Sequence, residues 1–239
     1  MKLTLPRAIM LDLDDTIIAN ETLKKECWNR VEKEFTVTLK EIGAGRLISS
    51  ILKHSDVFWS DAERHRVWRQ NIDEARREIV KETFSDLCLP DNGLAEKIAD
   101  RFSAVREEAM HPFPGAIETV GEFRERGVLL ALVTNGNAVV QRRKIERFGL
   151  SGLFNHIFIE GEQGYGKPDE RIYLNALAAL GTRPAETWMI GDNPVWDVFG
   201  PQKLGIMGIW VNAGGDGERL HDEPFLTIST LSEIMDHVQ

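Results

Sequence analysis

The spacing of apolar residues changes twice along the chain. Arg7-Ala8-Ile9-Met10-Leu11-Asp12 is a short apolar run ending on an acid. An unbroken run of this kind predicts a strand buried on both faces, with a carboxylate at its carboxyl end. From about Asn20 to Met110 the spacing is helical. Leu23, Cys27, Trp28 and Val31 share one face, and Leu47, Ile48, Ile51 and Leu52 another. Ser60-Asp61-Ala62-Glu63 reads as a capping box that opens a long third helix reaching about Thr83. Pro90-Asp91-Asn92-Gly93 breaks the chain before a fourth helix. Four amphipathic helices joined by short turns predict a helical bundle.

His111-Pro112-Phe113-Pro114-Gly115 is a stiff connector, and beyond it helix and strand patterns alternate. A helix from Ala116 stops at Gly127, one from Ala138 stops at Gly149, and one from Glu170 stops at Gly181. Residues 128–133, 157–159, 187–190 and 206–211 read as strands without polar alternation. Such strands, separated by helices, predict an α/β protein: a Rossmann-like parallel sheet with helices on both faces. Residues 1–16 and 111–239 form this core, and residues 17–110 form an α-helical domain inserted after the first strand.

Composition narrows the class. The 239 residues carry a formal net charge of −9, which disfavours nucleic acid as a partner. Cys27 and Cys88 are too few for a disulfide framework and lie in no zinc-binding spacing. The opening Met1 to Arg7 lacks the apolar run of a signal peptide, and no later stretch approaches the roughly 20 apolar residues of a membrane span. A cytoplasmic enzyme with no membrane partner is the expectation.

In an open parallel sheet, ligands bind outside the carboxyl ends of the strands. Four segments fall there: Asp12-Leu13-Asp14-Asp15-Thr16, Thr134-Asn135-Gly136, Lys167-Pro168, and Gly191-Asp192-Asn193-Pro194-Val195-Trp196-Asp197. They bring carboxylates, a hydroxyl with nearby amides, and one ammonium to one edge. A phosphate monoester is anionic and repels nucleophiles, so its hydrolysis needs a positioned oxygen nucleophile and neutralising cations.

This set resembles the four motifs of the haloacid dehalogenase superfamily, in order, and the helical insert resembles that family's C1 cap. The resemblance implies a magnesium-dependent phosphatase acting on a small phosphorylated metabolite. Asp12 would be the nucleophile that forms an aspartyl-phosphate, and Asp14 the acid and then the base. Asp12, Asp192 and the main-chain carbonyl of Asp14 would hold Mg2+. Thr134, the main-chain amides around Asn135 and Gly136, and Lys167 would bind the phosphoryl oxygens, and Asp197 would position Lys167 or a metal-bound water. Asp15, Thr16 and Trp196 carry structural expectations only. Within the superfamily, the alternatives are a phosphomutase and a carbon-halogen hydrolase. The intact acid and lysine set gives no support to a catalytically silent phosphate-binding module. The turn Gly43-Ala44-Gly45 would present Arg46 to the non-phosphoryl end of the substrate. The chain is expected to act as a monomer or homodimer.

Overall fold

The computed structural model describes residues 2–39, 44–214 and 223–239. Six strands form one sheet: β1 (Ala8–Leu11), β2 (Leu129–Thr134), β3 (His156–Ile159), β4 (Thr187–Gly191), β5 (Met207–Val211) and β6 (Leu226–Ile228). Their order is β3-β2-β1-β4-β5-β6, and every neighbouring pair is parallel. β1 lies between β2 and β4, with Ala8 facing both Leu129 and Thr187 and Leu11 facing both Leu132 and Ile190. Strands with neighbours on both edges and helices over their faces carry apolar residues at every position. Accordingly, Ala8 through Leu11 are completely buried. Strand order reverses at β1, so its carboxyl end is the topological switch point where a crevice opens.

The chain divides into two compact units, Met1–Ala19 with His111–Gln239 and Asn20–Met110. The first crossing comes three residues after Thr16, because Ile17 and Ile18 belong to the core. Both are fully buried, Ile18 N donates to Leu13 O at 3.0 Å, and Phe113 N donates to Ile17 O at 2.9 Å.

The insert holds five described helices: α1 (Lys24–Glu34), α2 (Ala44–Ser60), α3 (Ala62–Trp68), α4 (Ile72–Asp86) and α5 (Leu94–Ala109). The expected long third helix is therefore two. Asp61, not Ser60, caps α3 by accepting from Arg64 N at 2.7 Å, while the Ser60 hydroxyl turns back to Val57 O. The break falls at residues 69–71, where Asn71 takes a non-helical conformation. Asn competes for backbone hydrogen bonds and so favours such junctions. Trp68 packs edge-on against Phe58 at 5.7 Å, which anchors the end of α3. The insert's core gathers Trp28, Val31, Leu47, Ile51, Ile79, Phe84, Ile98 and Phe102.

The sheet unit includes the helices α6 (Ala116–Glu125), α7 (Ala138–Arg147), the short α8 (Glu160–Gln163) and α9 (Glu170–Leu180). Gly181 closes α9 with φ 63°, a left-handed cap that glycine adopts without strain. Ile172, Tyr173, Ala176 and Leu177 of α9 pack on Ala8, Met10, Ala131 and Met189 of the sheet. β6, only three residues long, is the one described strand that the apolar pattern did not predict. No described helix is long and apolar enough to cross a membrane.

Candidate active site

After β1 the chain makes a tight turn in which Asp15 is left-handed, with φ 56°, and its N–H donates to Ile18 O at 2.7 Å. The turn follows Asp12 directly and carries Asp14. Asp12 is nearly buried, and its Oδ1 accepts from Lys167 Nζ at 2.6 Å. The same ammonium donates to Asp197 Oδ1 at 2.6 Å. Lys167 itself is only 1% exposed. Burial works against its charge, but the flanking Asp12 and Asp197 outweigh that effect and hold the ammonium well above its ordinary range.

Lys167 is fixed from its main chain as well. Asn135 Nδ2 donates to Lys167 O at 2.7 Å, and Lys167 N donates to Asn135 Oδ1 at 2.8 Å. Both ends of the Asn135 side-chain amide are thus engaged with the lysine backbone, so this side chain positions Lys167. Gly166 makes this approach possible: a Cβ there would collide with Asn135 Oδ1. The Gly136 amide is likewise taken, donating to the buried Glu160 Oε2 at 2.8 Å. Asn137 caps α7, accepting from the amides of Val139 and Val140 at 2.9 and 3.2 Å.

Beyond β4, Asp192 joins the same cluster. Carboxylate oxygens of Asp12, Asp192 and Asp197 lie within 4.8 Å of one another. Asp197 is completely buried and spends both oxygens on donors, Oδ1 on Lys167 and Oδ2 on Asn193 N at 3.0 Å. It therefore positions the lysine. Gly191 gives it room, since a Cβ there would overlap the Asp197 carboxylate. Burial pushes Asp12 up to about 7, despite Lys167, and pushes Asp192 up to about 9 with help from Asp12 and Asp197. Two carboxylates held this far above their ordinary range are short of positive charge. Hard oxygen donors so disposed suit a small divalent cation. Trp196, for which only packing was expected, accepts from the Tyr173 hydroxyl through its main-chain carbonyl at 2.5 Å.

The structure adds two residues that the motifs did not. Lys144 Nζ donates to both oxygens of Asp14, at 2.7 and 2.9 Å. Gln141 Nε2 donates to Asp14 Oδ2 at 2.9 Å and to Thr134 Oγ1 at 2.6 Å. Both side chains are buried, although they are polar and sit on the inward face of α7 beside Ile145. Gln141 thus ties Thr134 to Asp14. A sequence signal for this pair exists in hindsight: polar residues at helical spacing on a face that Ile145 marks as inward.

The profile of the haloacid dehalogenase-like hydrolases matches residues 6–205, a span that includes all four segments of this site. The chain belongs to that family. This haloacid dehalogenase-like hydrolase is 36% identical over 177 residues to a phosphoserine phosphatase of Thermus thermophilus, an alignment covering 74% of this chain and 65% of that protein. It is 26% identical over 242 residues to a glyceraldehyde 3-phosphate phosphatase of Methanopyrus kandleri, covering 98% and 97% of the two chains. Among solved structures, the magnesium-bound hydrolase YfnB of Bacillus subtilis superposes with a TM-score of 0.72 at 21% identity, covering 98% of each chain. The L-2-haloacid dehalogenase RSc1362 gives 0.69 at 20% identity, covering 99% and 100%. At these identities the structural likeness speaks for the fold.

Proposed function

We propose that this hydrolase is a magnesium-dependent phosphatase that cleaves a small organic phosphate monoester through an aspartyl-phosphate on Asp12, with the insert acting as a C1 cap. The observation that carries this reading is the charge of the buried cluster. Three carboxylates against one ammonium leave two negative charges, the complement of one divalent cation. The phosphatase names of the relatives in Thermus thermophilus and Methanopyrus kandleri support the same reading. The metal cluster and Asp14 favour it over the carbon-halogen alternative, whose leaving halide needs no proton.

Asp12, Asp192 and the Asp14 carbonyl would hold Mg2+, which when bound would neutralise charge on the transferring phosphoryl group. Asp12 attacks phosphorus, and the bond to the leaving oxygen breaks as that oxygen takes the proton of Asp14. Water then attacks the aspartyl-phosphate and gives its proton to Asp14, releasing inorganic phosphate and restoring Asp12. Lys167, held by Asp12, Asp197 and Asn135, supplies a fixed positive charge to the nucleophile and the transferring oxygens. Thr134 offers its hydroxyl to the phosphoryl group, oriented by Gln141.

Arg46 stays a specificity candidate. It is exposed in the first turn of α2, while Gly43 lies outside the described residues. The substrate is a small phosphorylated metabolite and the setting cytoplasmic. Hydrolysis of para-nitrophenyl phosphate with and without magnesium tests the reading. Activity that needs magnesium and falls at least about 10³-fold in Asp12→Asn supports it. Full turnover in excess EDTA, or substantial turnover by pure Asp12→Asn, overturns it.

A further inference from the structure

The segment after β4 that carries Asp197 does not begin as an α-helix. The Asn193 side chain opens it by accepting from the amides of Val195 and Trp196, each at 3.0 Å. Gly200 N then donates to Val195 O, five positions back, which is the pairing of a π-helix, here Pro194–Phe199. The same pairing one step further would bring the N–H of residue 201 to Trp196 O. That residue is Pro201, which has no N–H to give. The covalent structure thus denies Trp196 O its helical donor, and a main-chain carbonyl packed in the interior needs one.

The donor comes from another helix. α9 starts directly after Lys167-Pro168, and its Tyr173 donates its hydroxyl to Trp196 O. Tyr173 is completely buried, and burial holds its hydroxyl far above the ordinary range, against the pull of Lys167, so it stays a donor. Gly200 gives the phenol its way in: a Cβ there would stand 3.0 Å from the Tyr173 hydroxyl oxygen and 3.1 Å from Val195 O. The residue beyond Trp196 is Asp197, whose Oδ1 accepts from Lys167 Nζ at 2.6 Å. The helix that follows the lysine is therefore tied to the turn that carries the lysine's acid partner.

We propose that Tyr173 is a positioning residue for Lys167: its hydroxyl replaces the N–H that Pro201 lacks, holds the turn in π pairing, and keeps Asp197 on the lysine. Without the hydroxyl, the nearest main-chain donor for Trp196 O is Gly200 N. Its transfer from Val195 O exchanges π for α pairing and swings Asp197 with the turn. Lys167 then loses one of the two acids that fix its ammonium. The inference rests on the proposed role of Lys167 as the positive charge that serves the transferring phosphoryl group.

Tyr173→Phe, Pro201→Ala and their combination test it, by turnover of para-nitrophenyl phosphate with magnesium and by the amide spectrum of the metal-free protein. Tyr173→Phe should lose at least about tenfold in kcat with KM changed less than about twofold, since Lys167 acts on the transferring group. Pro201→Ala should turn over as the parent does. In the Tyr173→Phe background its new N–H should reach Trp196 O and restore at least about half of kcat, an effect that a merely structural tyrosine would not show. Tyr173→Phe should cost nothing further when added to Asp197→Asn. The Asn193 N–H, which donates to Asp197 Oδ2 at 3.0 Å, should move upfield in Tyr173→Phe and return with Pro201→Ala. Thermal melts show which variants fold, and the combined variant must recover whether or not Tyr173→Phe folds by itself. The parent's kcat or the parent's Asn193 resonance in a folded Tyr173→Phe, no recovery in the combined variant, or additive losses with Asp197→Asn would overturn the assignment. Substantial turnover by Asp12→Asn would instead overturn the phosphatase reading, and the Asn193 resonance would still decide the role of Tyr173.

Discussion

Replacing Lys144 by methionine should damage the enzyme selectively, according to how much help the leaving group needs. Lys144 is buried, and its ammonium is bonded to both oxygens of Asp14 at 2.7 and 2.9 Å, which fixes the carboxyl group in two dimensions. Gln141 alone then holds Asp14, at one oxygen. General acid catalysis contributes about 10²- to 10⁴-fold when donor and acceptor are well placed, and it is sensitive to displacements near 1 Å. Loss of the better of two restraints should therefore cost about 10² in kcat/KM for an alkyl phosphate, near 2.7 kcal/mol of transition-state stabilisation. para-Nitrophenolate departs without a proton, so its ester should lose less than about threefold. The Asp14–Lys144 pair is about one quarter exposed on the Asp14 side, so the structural cost is modest and the variant should fold. Steady-state kinetics on both substrates, for Lys144→Met, Asp14→Asn and the double variant, makes the test. The double variant should be no worse than Asp14→Asn alone, because Lys144 acts through Asp14. Equal losses on both substrates, or additive losses in the double variant, would refute the positioning role.

Other outcomes follow from the same geometry. Gly191→Ala puts a Cβ into the Asp197 carboxylate, so Lys167 should be released from one of its two acid partners and kcat should fall about 10²-fold, measured on para-nitrophenyl phosphate. The metal-free protein should lose stability as pH rises from about 4 towards 9. Asp12 and Asp192 titrate near 7 and 9 when folded, against 3.8 ordinarily, so the folded state retains protons that the unfolded state has released. Magnesium replaces those protons, and its increment in melting temperature should therefore grow over that window. An increment that is constant or shrinks with pH would mean that these carboxylates are not the ligands. Arg46→Ala should lower efficiency on the physiological substrate by more than about tenfold and leave para-nitrophenyl phosphate hydrolysis nearly unchanged. Comparable effects on both would place specificity elsewhere.

The sheet unit was legible because its strands are buried on every side. Runs such as Ala8 to Leu11 and Thr187 to Gly191 carry no alternation, and each leads into chemistry-bearing residues. β6 escaped because three residues paired along one edge need little apolar sequence. The break between α3 and α4 escaped because helical periodicity continues on both sides of it, and the interruption is set by Trp68 packing on Phe58, a contact ten residues apart. In the site, Asp12, Lys167 and Asp197 were visible from their places after strands. Asn135 was visible too, but the hold of its side chain on the Lys167 backbone was not, because that depends on the Gly166 approach, made 31 positions away. Gln141 and Lys144 reach Asp14 across 127 and 130 positions, and only folding brings that helix face to the turn after β1.

The central claim is that Asp12 carries the phosphoryl group. Acid quenching of the enzyme during turnover, followed by peptide mass spectrometry, reads this directly. A phosphate is expected on the peptide containing Asp12, labile to base and hydroxylamine, dependent on magnesium, and absent from Asp12→Asn. A phosphorylated residue elsewhere, or phosphate release in a single turnover with no phosphorylated Asp12 peptide trapped at any time, would contradict it.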